Sequence, residues 1–211
     1  MIINIHGFRS NGNNSKYKWL CENVPQHEIY SPTFDYERDN PDNILDHLLN
    51  KVRLYPKDSA VNTDNVYVVG SSFGGFFARL VDQLSYATTI LINPSLVPFI
   101  TLRKELHYSY CQRYIRLLAR YAYSDDDSEP GGGCKLHVII GDSDELIDHE
   151  RITKPLLPTG FNQIHTIKGG THHLEMTPEI SEILRSVIKL PDGQSDEEVT
   201  AIHYWGDRKL P

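Results

Sequence analysis

Apolar and β-branched residues gather in six short runs along the chain, at 2–5, 28–33, 66–70, 88–93, 135–140 and 163–167. Between them lie segments with helical spacing. Residues 43–54 place Ile44, Leu45, Leu48, Leu49 and Val52 on one face, and residues 178–190 do the same with Ile180, Ile183, Leu184, Val187 and Ile188. Strands that alternate with helices form βαβ units. The pattern therefore predicts an α/β chain of three layers, with a doubly wound, mostly parallel sheet covered on both faces. No internal repeat interrupts the alternation. In such a sheet the site lies at the carboxyl ends of the strands, near a switch in strand order.

Two stretches break the alternation. Residues 96–124 form one long segment, predicted to be helical from about 102 to 122. Leu106, Tyr110, Tyr114, Leu117, Leu118 and Tyr121 make its apolar stripe, while Arg113, Arg116 and Arg120 share another face. It ends in Ser-Asp-Asp-Asp-Ser-Glu-Pro-Gly-Gly-Gly at 124–133, a polar, glycine-rich loop. The tail after Leu190 opens on Pro-Asp-Gly and carries an acidic cluster before Ala-Ile-His-Tyr-Trp. Its pattern assigns it to no element.

Composition narrows the class. A chain of 211 residues fits one domain with a sizeable core, and 39% hydrophobic with 23% charged residues is a globular balance rather than a disordered one. The net charge of −7 weighs against nucleic acid as a partner. No apolar run approaches a membrane span, and Met-Ile-Ile-Asn-Ile-His-Gly at the start reads as a strand rather than a signal peptide. Cys21, Cys111 and Cys134 are odd in number, widely spaced and without metal-ligand spacing. They predict reduced thiols and a cytoplasmic protein.

The chemistry starts at Val-Tyr-Val-Val-Gly-Ser-Ser-Phe-Gly-Gly-Phe-Phe-Ala-Arg, residues 66–79. A strand ends at Gly70, Ser72 follows two residues later, Gly74 two after that, and an amphipathic segment (Phe76, Phe77, Leu80, Val81, Leu84) begins at once. This is G-x-S-x-G in the strand–turn–helix context of a nucleophile elbow. With 14 Gly in the chain the bare motif arises by chance in roughly one comparable sequence in fifteen, so its flanks matter more than the match. The sharp turn lifts the Ser72 hydroxyl above the sheet, and a Cβ at 70 or 74 would meet the neighbouring strand or helix.

A serine nucleophile needs a base, an acid to orient that base, and donors for the oxyanion. After the strand at 136–140 comes Gly-Asp-Ser-Asp-Glu-Leu-Ile-Asp, so Asp142, Asp144, Glu145 and Asp148 are candidates for the acid. Asp144 is favoured because it follows the turn begun by Gly141 and precedes Leu146-Ile147, an apolar pair able to pin the loop. Asp148 reads better as a helix cap. After the last strand comes Lys-Gly-Gly-Thr-His-His, with His172 the favoured base and His173 the alternative. At the other end, strand 2–5 runs into His6-Gly7-Phe8. The amides of Phe8 and Phe73 are the expected oxyanion donors, with His6 shaping the loop and expected beside the substrate.

On these residues the chain resembles an α/β-hydrolase of the small YqiA/YcfP-like bacterial esterase group. M-I-I-N-I-H-G-F-R-S-N at the start, V-V-G-S-S-F-G-G-F-F-A at the elbow, L-I-N-P-S-L-V-P-F at 91–99, D-S-D-E-L-I-D at 142–148 and G-G-T-H-H at 169–173 carry the likeness over most of residues 1–190. The resemblance implies esterase or thioesterase activity on short acyl groups, with Ser72, Asp144 and His172 as triad and Asn93-Pro94 shaping the pocket wall. Thr171 and Leu174 depart from the family pattern, which has an acidic or amide residue before the base and an aromatic two after it.

Because the first recognisable strand already carries His-Gly, the chain is expected to lack the two opening antiparallel strands of larger hydrolases. A minimal fold of about six strands in the order 2-1-3-4-5-6 is expected over residues 1–190. A helical lid insertion covers about 96–133, and a C-terminal extension 191–211 stands apart. The lid cations Arg103, Lys104, Arg113, Arg116 and Arg120 are expected to attract an anionic substrate. The implied ligand is a small-molecule acyl ester or thioester, and no metal or cofactor is needed. The sequence leaves the oligomeric state open. The competing reading is an inactive hydrolase fold serving as a binding or scaffold protein.

Overall fold

The computed structural model describes residues 1–54, 66–122, 136–158, 161 and 163–189. Six strands, β1 (Ile2–Ile5), β2 (Ile29–Tyr30), β3 (Tyr67–Ser71), β4 (Thr88–Ile92), β5 (Leu136–Gly141) and β6 (Ile164–Ile167), pair in parallel throughout. Their order is β2-β1-β3-β4-β5-β6, the order expected from the sequence. The helices are α1 (Ser15–Asn23), α2 (Pro41–Leu54), α3 (Gly74–Leu84), α4 (Pro98–Thr101), α5 (Tyr108–Ala122) and α6 (Pro178–Val187).

Period-two alternation sends neighbouring strand residues into two separate cores. Ile3, Ile5, Val68, Leu91, Val138 and Ile140 pack with α2, α3 and α5 through side chains such as Leu45, Phe77 and Leu117. Ile2, Tyr67, Val69, Ile90, Ile139 and Ile167 face the other way, against Trp19 and Leu20 of α1 and Ile180 and Leu184 of α6. Three layers follow from that division. Both faces being covered explains why most of the strands read as apolar runs.

Three boundaries differ from the pattern. β2 holds only Ile29 and Tyr30, because Ser31, Pro32 and Thr33 turn to serve the loop after β1: Ser31 Oγ donates to the Gly12 carbonyl at 2.6 Å and Gly12 N donates to Thr33 Oγ1 at 2.9 Å. The expected helix over 102–122 is instead a short α4, a turn, and α5. Leu106 is buried in the turn and anchors it to the core, and α5 begins only at Tyr108. α1 went unpredicted, since it buries only Trp19 and Leu20 and its start depends on Asn14, whose side chain accepts from Tyr17 N at 2.9 Å. The expected loop at 124–133 and the tail from 191 lie outside the described residues.

Aromatic rings fill the space under the elbow. Tyr36 stacks on Phe73 with ring centroids 4.4 Å apart, and Tyr114 of α5 meets Phe73 edge-on at 5.0 Å. The two phenol hydroxyls are satisfied by backbone carbonyls, Tyr36 donating to His6 at 2.7 Å and Tyr114 to Tyr36 at 3.0 Å. α5 thus serves mainly to close this core.

Gly74 opens α3 directly against the end of β1, where an added Cβ would lie 2.3 Å from the Ile5 carbonyl oxygen and 2.6 Å from that of His6. Backbone on both sides leaves no room to yield. Gly74→Ala is expected to lower unfolding stability by about 3 kcal/mol, read as a lower denaturant midpoint at an unchanged slope.

Candidate active site

β3 and β1 are neighbours with Gly70 opposite Ile5, so the turn after β3 and the loop after β1 rise side by side. Ser72 occupies the turn with φ of +51°, a left-handed conformation that costs a residue with a Cβ about 1–3 kcal/mol. Its backbone is held from three directions: Ser72 N donates to Ile92 O at 3.0 Å, and the amides of Gly75 and Ser95 both donate to Ser72 O at 2.9 Å. The strain is therefore sustained by β4 and α3 together. The hydroxyl stands free of the sheet, at the start of α3.

His172 reaches that hydroxyl from the loop after β6, with Nε2 2.9 Å from Ser72 Oγ. Its Nδ1 lies 2.9 Å from Asp144 Oδ2 and 3.1 Å from Oδ1. The Asp144 side chain is 1% exposed and that of His172 7%. The Asp144 carboxylate also accepts from the amides of Leu146 and Ile147, each at 2.9 Å, and from His149 Nε2 at 2.8 Å. Burial alone would raise its pKa. The bonds from His149, His172 and the two amides outweigh burial and hold the group well below the ordinary carboxylate range.

The remaining acids of the loop after β5 have separate structural tasks. Asp142 Oδ1 accepts from Gly169 N at 2.7 Å, and Glu145 Oε2 accepts from His172 N at 3.0 Å, which depresses its own pKa. Asp148 caps the following π-helical turn, His149–Thr153, by accepting from Arg151 N. Asn93, at φ of +42°, is 1% exposed and bridges three strands' ends. Its Nδ2 donates to the Thr171 and His172 carbonyls at 2.8 and 3.0 Å, and its Oδ1 accepts from Gly141 N at 2.7 Å. Asn93 thereby sets the path of the loop that carries His172.

The loop after β1 passes beside the nucleophile turn: a Cβ on Gly7 would fall 3.1 Å from Ser72 Cβ. His6 is fully buried. Its Nε2 accepts from Phe34 N at 2.9 Å, so Nδ1 carries the proton and donates to Gly7 O at 2.7 Å. Burial lowers its pKa, the Gly7 bond opposing, and a neutral ring with both nitrogens engaged in the backbone is a loop strut. Among the described residues neither the Phe8 nor the Phe73 amide donates to a protein acceptor.

A cavity of about 710 Å³ opens above Ser72. Gly7, Phe8, Ser72, Leu146, His172 and His173 line it, together with Ile100 to Glu105 from α4 and the turn that follows it. Its cations are Arg9, Lys16, Arg103 and Lys104, with Glu105 the opposing acid. Arg9 ion-pairs with Glu105 at 3.0 Å and with Glu37 at 3.4 Å, and Lys16 Nζ donates to Leu174 O at 2.7 Å. His6, Asn93, Pro94, Arg113, Arg116 and Arg120, expected at the substrate, do not line this cavity; Arg120 pairs instead with Asp42. Asn93 and Pro94 sit buried behind the cavity, and Arg113 and Arg116 are exposed on α5, Arg113 over the Tyr110 ring at 5.2 Å. Neutralising both (Arg113→Gln with Arg116→Gln) is expected to leave KM for an anionic ester within about twofold of wild type. A KM series at fixed ionic strength checks this.

His149 was not singled out in the sequence. It lies five residues beyond Asp144, and nothing in its spacing reveals that the Leu146-Ile147 turn folds it back onto the same carboxylate.

The family model for the uncharacterised protein family UPF0227 matches residues 1–189. The chain belongs to UPF0227. Its relatives include a UPF0227 protein of Vibrio cholerae serotype O1, 23% identical over 182 residues, which cover 83% of this chain and 96% of the relative. Among solved structures it is similar to Est1E from Butyrivibrio proteoclasticus, determined with ferulic acid bound. That likeness has a TM-score of 0.64 at 17% identity, over 88% of this chain and 86% of the other. It is also similar to MGS-MChE2, an alpha/beta hydrolase from lagoon sediment metagenome at Mar Chica, Morocco, with a TM-score of 0.56, 17% identity and 87% of each chain covered. This chain thus has the α/β-hydrolase fold. No described helix is long and apolar enough to cross a membrane.

Proposed function

We propose that this UPF0227 protein is a serine hydrolase that cleaves carboxylic esters or thioesters of short acyl groups. The observation that carries the proposal is the line from Ser72 Oγ to His172 Nε2, 2.9 Å, and from His172 Nδ1 to Asp144 Oδ2, 2.9 Å. With Asp144 ionised, Nδ1 keeps its proton and Nε2 presents a lone pair to the serine hydroxyl.

In the reaction, His172 takes the Ser72 proton as Oγ attacks the acyl carbonyl. The Phe8 and Phe73 amides donate to the oxyanion, aided by the positive end of α3. His172 then returns the proton to the departing alcohol or thiol, and water repeats the sequence on the acyl-enzyme. Asp144 compensates the transient imidazolium. Residues 100–105, not α5, cover the pocket in this reading, and the Arg9–Glu105 pair ties that cover to the loop after β1.

A fluorophosphonate probe tests the proposal directly. The expected result is one covalent adduct, located at Ser72 by peptide mass spectrometry, together with turnover in a screen of p-nitrophenyl esters and thioesters of increasing acyl length. A folded sample that takes no label and cleaves none of them refutes it, and leaves the scaffold reading.

A further inference from the structure

His149 touches neither the cavity nor Ser72, yet its Nε2 lies 2.8 Å from Asp144 Oδ2, the oxygen that also sits closest to His172. Both side chains are out of solvent, His149 at 4% and Asp144 at 1% exposure. On its far side Nδ1 is 2.8 Å from the hydroxyl of Thr153, a fully buried residue, which lies farther, 3.4 Å, from the Pro94 carbonyl. A run of polar contacts therefore continues past the usual third member of a triad: Ser72, His172, Asp144, His149, Thr153.

The proton positions follow from the acceptor. An ionised carboxylate only accepts, so the His149 nitrogen facing it carries a hydrogen; in the neutral ring the other nitrogen then accepts from the Thr153 hydroxyl, which lies closer to it than to the Pro94 carbonyl. The carboxylate then has a donor for each of its lone-pair directions. Leu146 N and Ile147 N hold Oδ1, His149 holds Oδ2, and His172 spans the two.

We infer that His149 is a positioning residue that fixes the plane and charge of Asp144 so that His172 is held in the tautomer able to accept the Ser72 proton. This rests on the serine-hydrolase reading. The two loop amides pin one oxygen only, and a carboxylate held at one oxygen still rotates about Cβ–Cγ. A second donor, carried by the separate turn His149–Thr153, stops that rotation before the base arrives. It also satisfies an oxygen whose burial would otherwise favour protonation of the acid.

The test pairs two substitutions of His149. His149→Phe keeps the ring and removes the donor, whereas His149→Gln returns an N–H near the place of Nε2. For a p-nitrophenyl ester the Phe variant is expected to lose about 10–100-fold in kcat with KM within twofold, and the Gln variant to stay within about threefold of wild type. Circular dichroism confirms that the compared samples are folded. A folded Phe variant with kcat within twofold of wild type overturns the inference. So does a Gln variant as impaired as Phe, which would mean ring packing rather than hydrogen bonding.

A second measurement needs no substrate. In ¹⁵N NMR of the wild-type protein at neutral pH, His149 is expected as the Nε2–H tautomer, with a downfield proton on His172 Nδ1 that weakens in the Phe variant only. Finding His149 as the Nδ1–H tautomer overturns the inference even if the enzyme is active. Absence of turnover and of fluorophosphonate label in wild type instead removes the hydrolase reading, and the NMR result still decides whether His149 holds the carboxylate.

Discussion

Ser72→Ala is expected to abolish ester hydrolysis, lowering kcat by about 10⁵–10⁶-fold for any ester the wild type turns over. The size follows from what is removed. Ser72 Oγ is the attacking atom in the proposed reaction, and without it no acyl-enzyme forms on the serine and water must attack the ester directly. The substitution leaves the framework alone. Alanine faces the same left-handed strain as serine at φ of +51°, and the three backbone bonds that hold the turn involve no side-chain atom. Thermal midpoint and circular dichroism should therefore match wild type, with fluorophosphonate labelling lost. Retained hydrolysis at the wild-type rate would place the chemistry elsewhere.

The second large effect is expected from Asp144→Asn, a loss of about 10³–10⁴-fold in kcat with little change in KM. Every partner of this side chain is a donor: two amides and two imidazoles. An asparagine has one acceptor oxygen, and that oxygen goes to the Leu146 and Ile147 amides, whose positions are fixed by the turn. Its NH₂ then faces His172 Nδ1, which must give up its proton to accept. His172 becomes the wrong tautomer, with Nε2–H pointing at Ser72 and no lone pair for the hydroxyl.

Stability changes too, and its pH dependence has a definite sign. The Asp144 pKa is depressed in the folded protein, so the ionised carboxylate contributes stability that is fully present above the ordinary carboxylate range. That contribution is lost as pH falls through and below this range toward the depressed folded value. Wild type should accordingly lose more stability between neutral pH and strongly acid pH than Asp144→Asn does, in denaturant titrations at a series of pH values.

The legible parts of this molecule were those written in local pattern. Apolar runs marked all six strands because burial on one or both faces leaves few polar positions, and Gly70-x-Ser72-x-Gly74 marked the elbow because backbone approaches there exclude a Cβ. The break between α4 and α5 was invisible for the opposite reason. The stripe from Leu106 to Tyr121 keeps helical spacing, but Leu106 is buried in a turn rather than in a helix, and a side chain's burial is compatible with either. α1 escaped notice since its capping residue and two buried side chains are too few to impose a period.

At the site, the amino-acid sequence by itself determined that a serine, a histidine and a group of carboxylates would stand at the carboxyl ends of β3, β6 and β5, because strand order and loop position follow from the alternation of elements. The sequence favoured Asp144 among those carboxylates and named Arg103 and Lys104 among the lid cations. Only the tertiary structure decided that His149 meets the carboxylate from behind, that Arg9 and Lys16 join Arg103 and Lys104 at the cavity, and that Arg113 and Arg116 stand away from it. The physical reason is one of scale. Periodicity fixes the facing of a side chain within its own element, whereas hydrogen-bond partners are selected over a few tenths of an ångström by loops whose course is set by distant groups. Here the Asn93 side chain, reaching from the end of β4 to the carbonyls of Thr171 and His172, sets that course.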